Sequence, residues 1–303
     1  MKLIDSSASI IDIANPFMKI EKVGRTCYKS TSAMTEETAK KFYHNLVSRN
    51  HTAMLEHVTF VFEVCSFVYQ HLYGHKYLNY SVEEFEDGTT RFLVSGNLRA
   101  INESRENVLL SVLGHNIDPD LIYCEDDFQL SIVSEAFCRL VDIDSLPNIQ
   151  EHAYKKHKYL TFHYICDRGV SHEIVRHRPS SYAQESTRYC NYSKDKFGSE
   201  ITCITPADFE KWDDESRYYF FHSINYAEDC YIRMLNKGRT PQEARAVLPN
   251  ALKTEVVMTA NCEEYDHFFN LRSRGTTGAP HPDMKKLADK ALVLYENNTK
   301  KFN

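Results

Sequence analysis

The sequence lacks several features, and each absence excludes a class of protein. It has no run of 18 apolar residues, so no segment is expected to cross a membrane as a helix. Its opening residues, Met1-Lys2-Leu3-Ile4-Asp5-Ser6, do not form the apolar core of a secretory signal. The nine cysteines are dispersed, odd in number and without a C-x-x-C pair. That pattern argues against a disulfide framework and a structural zinc site, and no metal is expected; it suits reduced thiols in a cytoplasmic protein. No Gly-x-Gly-x-x-Gly turn occurs, so a dinucleotide gripped by a Rossmann turn is not expected. Basic residues are not in excess: Lys+Arg number 36 against 42 Asp+Glu, a formal charge of −6. Sequence-independent nucleic-acid binding is therefore disfavoured, and any anion site must be a local cluster of arginines. No repeat or low-complexity stretch is visible.

What remains is a chain of 303 residues with 42% hydrophobic and 26% charged residues, enough for a real core. Asn15-Pro16 opens a helix, and Thr35 with Glu36 and Glu37 opens a second one reaching about Arg49. Leu55 to Cys65 reads as a strand, with Val58, Phe60, Phe62 and Val64 on one face. Glu56 stands at its open end, either turned to solvent or aimed into a pocket. Ser95 to Arg99 follows a strand-like run and opens a helix. Tyr159 to Cys166 alternates as a strand, and Asp167 can cap a helix from Arg168 to about His177. A long helix from about Asp213 to Lys237 closes at Gly238, and Thr240-Pro241-Gln242-Glu243 is a capping box. Leu252 to Ala260 reads as a strand, Asn261 with Glu264 starts a helix to Arg272, and Asp283 to Asn297 is a last helix. The irregular alternation predicts an α+β fold, a mixed sheet flanked by helices in a single domain over 1–303, with 66–155 as an insertion or elaboration.

The densest polar stretch is His172 to Tyr189. A zinc-protease helix would need two histidines four apart. His172 and His177 are five apart, roughly 500° of rotation instead of about 400°, and do not share a face. Arg176, His177 and Arg178 are consecutive, and Pro179 disfavours helical geometry at Arg178, so the chain should swing outward there. Cations at a helix C-terminus complement its dipole, but three cations and two hydroxyls leading to Arg188 exceed that need. Ser180, Ser181, Gln184, Glu185, Ser186, Thr187 and Arg188 form a polar stretch expected to be irregular, and its hydroxyls, amide and guanidinium suit phosphate and carbonyl recognition. Arg245 and Arg272, taken singly, read as surface arginines in preference to ligand contacts. Cys190 follows Arg188-Tyr189 directly and invites a reading as nucleophile, yet no paired base is evident; a packed thiol is the plainer reading.

Arg176-His177-Arg178, Ser181, Ser186, Arg188 and Tyr189 together resemble the signature of the flavin-dependent thymidylate synthases, the ThyX family. Ala183 stands where that family usually has Asn. Leu55-Glu56-His57, Asp167 to Glu173, Ala244 to Pro249 and Phe269 to Arg272 are similar to further family blocks in family order, so the resemblance covers roughly 10–65 and 155–295. It implies conversion of dUMP to dTMP with FAD, a methylene from methylenetetrahydrofolate and hydride from NADPH through the flavin. It also implies a homotetramer with shared sites. Carried over by position, FAD would meet His51, Ala53, Glu56, Arg176, His177, Arg178, Gln184, Asn261, Glu263 and His267. dUMP would meet Glu173, Arg176, Gln184, Ser186, Thr187, Arg188, Arg245 and Arg272, with Arg272 as the catalytic group favouring N3-ionised uracil. Glu173, Gln184, Glu263 and Ala53 depart from the residues common at those positions. Two rivals are a flavin- and folate-dependent RNA uracil methyltransferase, disfavoured by the acidic balance, and a nucleotide- or RNA-binding protein without catalysis, which would need no flavin.

Overall fold

The structure, a computed structural model, describes residues 1–28, 33–123, 131–188, 190–193 and 200–302. The strands are β1 (Lys2–Ile4), β2 (Ser7–Ile10), β3 (Thr59–Val64), β4 (Leu78–Glu84), β5 (Thr90–Asn97), β6 (Cys138–Leu140), β7 (Tyr159–Asp167), β8 (Ser181–Gln184), β9 (Thr202–Ile204) and β10 (Lys253–Asn261). The helices are α1 (Pro16–Tyr28), α2 (Glu36–Ser48), α3 (Ser66–Leu72), α4 (Leu98–Ser104), α5 (Asn107–Asn116), α6 (Glu151–His157), α7 (Arg168–Ile174), α8 (Asp214–Asn236), α9 (Pro241–Ala244), α10 (Cys262–Arg272) and α11 (Pro282–Asn297).

Side-chain caps set the helix starts. The Thr35 hydroxyl accepts from the Thr38 N–H at 3.2 Å, Asp167 from Val170 at 2.8 Å, and Asn261 from Glu264 at 3.0 Å. The Thr240–Glu243 box opens α9. That helix ends at Ala244, however, and Arg245 begins a tight 3₁₀ turn, Arg245–Val247, instead of sitting inside a helix. The strand expected from Leu55 begins only at Thr59. Thr52–His57 is a 3₁₀ turn with Thr52, Leu55 and His57 buried, and Thr52, Leu55 and the capping Val58 follow a spacing of three instead of alternation.

The α+β class holds, but the strands do not make one mixed sheet. β2-β7-β10-β8 and β4-β5-β3-β6 are each antiparallel throughout, and β1 pairs in parallel with β9. The reason is local connection: antiparallel neighbours such as β4 and β5 need only a short turn, here with Gly88 at φ +83°, whereas parallel neighbours need a long crossover. Strands β4, β5 and β6, all within 66–155, complete a sheet around β3. Val61 and Leu93 of that sheet lie in the same buried cluster as Phe162, Tyr164 and Val256 of the other, so the two sheets share a core.

The β7–β10 pair positions the site. It runs in register from Tyr159↔Asn261 to Asp167↔Lys253. Helix α7 leaves the end of β7, and α10 leaves the end of β10, at opposite ends of this ladder. Both fold back over the face carrying Tyr164, Val256 and Met258. Seven and 11 helical residues span together roughly 27 Å, close to the roughly 30 Å of a nine-residue strand. The C-termini of the two helices therefore meet above the middle of the sheet.

Candidate active site

Where α7 and α10 meet, Glu173, His177 and Arg272 form a cluster. Arg272 Nη1 donates to Glu173 Oε2, and its Nε donates to His177 Nε2 at 3.0 Å. His177 therefore offers a lone pair at Nε2. It is buried, edge-on to Phe268 at 4.8 Å between ring centroids, and burial together with the cation of Arg272 pushes its pKa down to about 4. The chain after α7 tightens into i−3 bonds, Arg176 N–H to Glu173 carbonyl at 3.3 Å and His177 N–H to Ile174 carbonyl at 3.2 Å. The Tyr182 hydroxyl, 2.6 Å from the His177 carbonyl, fixes this turn from the sheet. The helix thus ends at Ile174, short of His177, as the approach to Pro179 requires.

Past the turn, Arg178 lies over the Tyr182 ring, 5.1 Å from its centroid, and enters a cleft of about 490 Å³. Glu56, Asn97, Arg99, Ser181 and Asn261 also line it. Arg99 Nη1 donates to Glu56 Oε1 at 2.8 Å, so Glu56 is a paired carboxylate facing the cleft. Asn261 divides its amide between capping α10 and donating to the Lys156 carbonyl at 3.1 Å.

Segment 181–184, expected to be irregular, is strand β8. It adds to the edge of β10 with Gln184 opposite Val256. Gln184 donates to Ser171 Oγ at 3.0 Å and Thr254 Oγ1 at 3.3 Å. Ala183, on the other face, is buried against Val23 and Val257. Beyond the strand, the Ser186 N–H donates to the Cys27 carbonyl, and the Arg188 N–H to Ser186 Oγ at 3.3 Å. Arg245 Nη1 donates to Thr187 Oγ1 at 3.2 Å, and the pair borders a depression of about 330 Å³ with Arg168 and His172. Beneath it runs a buried ionic chain. Lys253 Nζ bridges Glu185 Oε2 and Glu255 Oε1, each at 2.7 Å, and Glu255 Oε2 meets His163 Nε2 at 3.0 Å.

The remaining expected residues stand apart. His51 and Ala53 are exposed at the start of the 3₁₀ turn and do not line the cleft. Glu263 and His267 are exposed on α10; Glu263 borders a different depression with Lys155 and Lys156, and the His267 ring is 6.1 Å from that of His177. Arg176 is exposed. Tyr189 of the signature and Cys124 lie outside the described residues. Sequence reasoning missed Arg99, Asn97, Arg168 and Lys253. Arg99 lies in the first turn of a helix, two residues after the cap Asn97, and Arg168 directly follows the cap Asp167, but nothing local to Arg99 points to Glu56. Among the described residues no group of three or more His, Cys, Asp or Glu could hold a metal ion, and no helix is long and apolar enough to cross a membrane.

Comparison with known proteins places the sequence in a family. The chain is 31% identical over 131 residues to a flavin-dependent thymidylate synthase of Geobacter sulfurreducens, covering 43% of this chain and 54% of that protein. It is 33% identical over 148 residues to that of Pyrococcus furiosus, covering 46% and 59%. With that of Sulfolobus acidocaldarius it shares 37% over 145 residues, covering 43% and 53%. The chain thus spans between half and three fifths of the length of these curated relatives. A solved structure of a UMP/dUMP methylase, PolB from Streptomyces cacaoi, aligns over 98% of this chain and 93% of its own at 12% identity and a TM-score of 0.42. The family model described as thymidylate synthase complementing protein matches residues 9–87 and 143–297, well over half of the sequence, and the chain belongs to that family.

Proposed function

We propose that this protein is a flavin-dependent thymidylate synthase. It methylates dUMP to dTMP, drawing the methylene from methylenetetrahydrofolate and reducing equivalents from NADPH through FAD. The observation that carries the reading is the path of one segment. Between 173 and 188 it supplies Glu173 and His177 to Arg272, Arg178 to the cleft, and Thr187 to Arg245. It therefore links a cleft of cofactor size to a cationic depression suited to a phosphate.

The residues present fit a flavin nucleotide. The cleft's volume of about 490 Å³ lies within the roughly 300–1,000 Å³ usual for cofactor sites. Its lining combines guanidinium groups for phosphate with Ser181 and Asn261 for ring carbonyls and N–H groups. When bound, the flavin supplies the hydride chemistry. The protein's part is to bind, orient and exclude water. Arg245 and Arg188 meet a phosphate carrying about two negative charges. Arg272, held by Glu173 at Nη1 and by His177 at Nε, keeps its Nη2 edge without a protein partner among the described residues. That edge faces negative charge as it develops on an N3-ionised uracil, and preorganisation by two partners means no reorientation at the moment of reaction. Neutral His177 is essential to this arrangement, because only the neutral ring accepts at Nε2.

The protein works in the cytoplasm as a homotetramer with sites shared between subunits, and residues 66–155 elaborate its single domain. The test is an absorbance spectrum of the purified protein after incubation with FAD, then NADPH bleaching with and without dUMP. A flavin spectrum bleached faster with dUMP supports the reading. Folded protein that retains no flavin would sink it and favour a binding module without catalysis.

A further inference from the structure

The stretch 88–142, unmatched by the family model, supplies one wall of the cleft. Its helix α4 is fixed by Asn97, whose Oδ1 accepts from the Ala100 N–H at 2.8 Å. Leu98, Ile101 and Asn102 are buried, which turns Arg99 and Glu103 to the opposite face and toward the cleft. Glu56 takes Arg99 Nη1 at 2.8 Å and Glu103 takes Nε at 2.7 Å. The guanidinium is thereby held rigid by two edges, and its Nη2 is without a protein partner among the described residues. Lys76 and Tyr77 also line the cleft; Lys76 Nζ lies 5.2 Å from the Tyr77 ring centroid, and Tyr77 is 65% exposed. Arg178 also lines the cleft. Three cations therefore border it against the two carboxylates Glu56 and Glu103, both already engaged by Arg99. Cations beside a solvent-facing aromatic ring form a surface that recognises an aromatic ligand bearing phosphate.

We propose that Arg99, which lies outside the family's matched segments, together with Lys76 takes the phosphate groups of a flavin nucleotide in the cleft. The assignment rests on the flavin reading above and extends it to Arg99, outside the family's matched segments, and to Lys76, within them. Three ligands that share one ring system separate the phosphate contribution from the rest: FAD, FMN and riboflavin. Each is titrated into flavin-free full-length protein and followed by flavin fluorescence. Arg99→Gln should weaken FAD by roughly 10- to 100-fold, the scale of a lost charge-assisted contact, and leave riboflavin within about twofold. Lys76→Ala, a change at an exposed side chain that the fold does not need, should show the same selectivity at about threefold to tenfold. Equal losses for all three ligands, or unchanged FAD binding, would overturn the assignment. So would an Arg99→Gln/Glu56→Gln protein that binds FAD as well as Glu56→Gln alone, since Arg99 would then act only by neutralising Glu56. Wild-type protein that binds none of the three would instead bring down the flavin reading itself.

Discussion

Replacing Lys253 by methionine removes the cation shared by two buried carboxylates. The Glu185 side chain is 1% exposed, Glu255 10% and Lys253 13%, so water cannot take over the lost contacts. Glu255 keeps His163 at 3.0 Å. Glu185 keeps only the Tyr192 hydroxyl at 3.3 Å among the described residues. An uncompensated buried charge of this kind costs about 3–5 kcal/mol. At about 2–4 °C per kcal/mol for a chain of this size, Tm should fall on the order of 10 °C. Adding Glu185→Gln should recover at least half of that loss, because the amide is neutral and can still bond to Tyr192. Glu185 directly precedes Ser186, so Lys253→Met should also weaken dUMP binding. Thermal denaturation of Lys253→Met, Glu185→Gln and the double variant measures the coupling. A Lys253→Met protein within about 1 kcal/mol of the parent, or a double variant no better than Lys253→Met, would refute the reasoning.

Arg272→Ala should lose about 100- to 1000-fold in turnover while changing dUMP affinity far less, because its contact strengthens as charge develops; steady-state kinetics beside equilibrium binding reads the difference. Stability should fall steeply with acid. Burial pushes His57 and His157 down to about 3 and His177 to about 4, from an ordinary value near 6.5. Their unfolded forms bind protons first, so the stabilisation is complete above about pH 6.5 and drains away toward pH 4 at up to about 1.4 kcal/mol per pH unit for each ring. Urea unfolding at pH 7, 6 and 5 should show this slope, and a flat profile would contradict it. Cys190→Ser should keep turnover within about tenfold. Cys190 is fully buried beside the Ser186 loop, with its N–H donating to the Ser186 carbonyl at 3.0 Å, which suits a packed thiol. A trapped Cys190–nucleotide adduct in the parent would overturn that view.

Features that depend on neighbours in sequence were legible. Thr35, Asp167, Thr240 and Asn261 each cap the helix that the residues around them announce, because a cap needs only the next three N–H groups. The signature Arg176 to Arg188 was legible as chemistry, since few structural needs call for so many guanidiniums. Sheet partners were not legible. The union of β3 with β4, β5 and β6 depends on distant segments, Glu63 and Arg139 being 76 residues apart, and alternation says nothing about which strand lies alongside. The same limit hid Arg99, which reaches Glu56 from 43 residues away. His51, Ala53, Glu263 and His267 were expected at the flavin from position in the family. In the single chain they are exposed and outside the cleft lining.

The most direct measurement is product formation. Purified protein is loaded with FAD and incubated with dUMP, methylenetetrahydrofolate and NADPH, and the nucleotides are separated and identified by mass. The structure and the family together predict dTMP, dependent on each of the three substrates and lost in Arg272→Ala. Folded, FAD-loaded protein that leaves dUMP unchanged would contradict the proposed function.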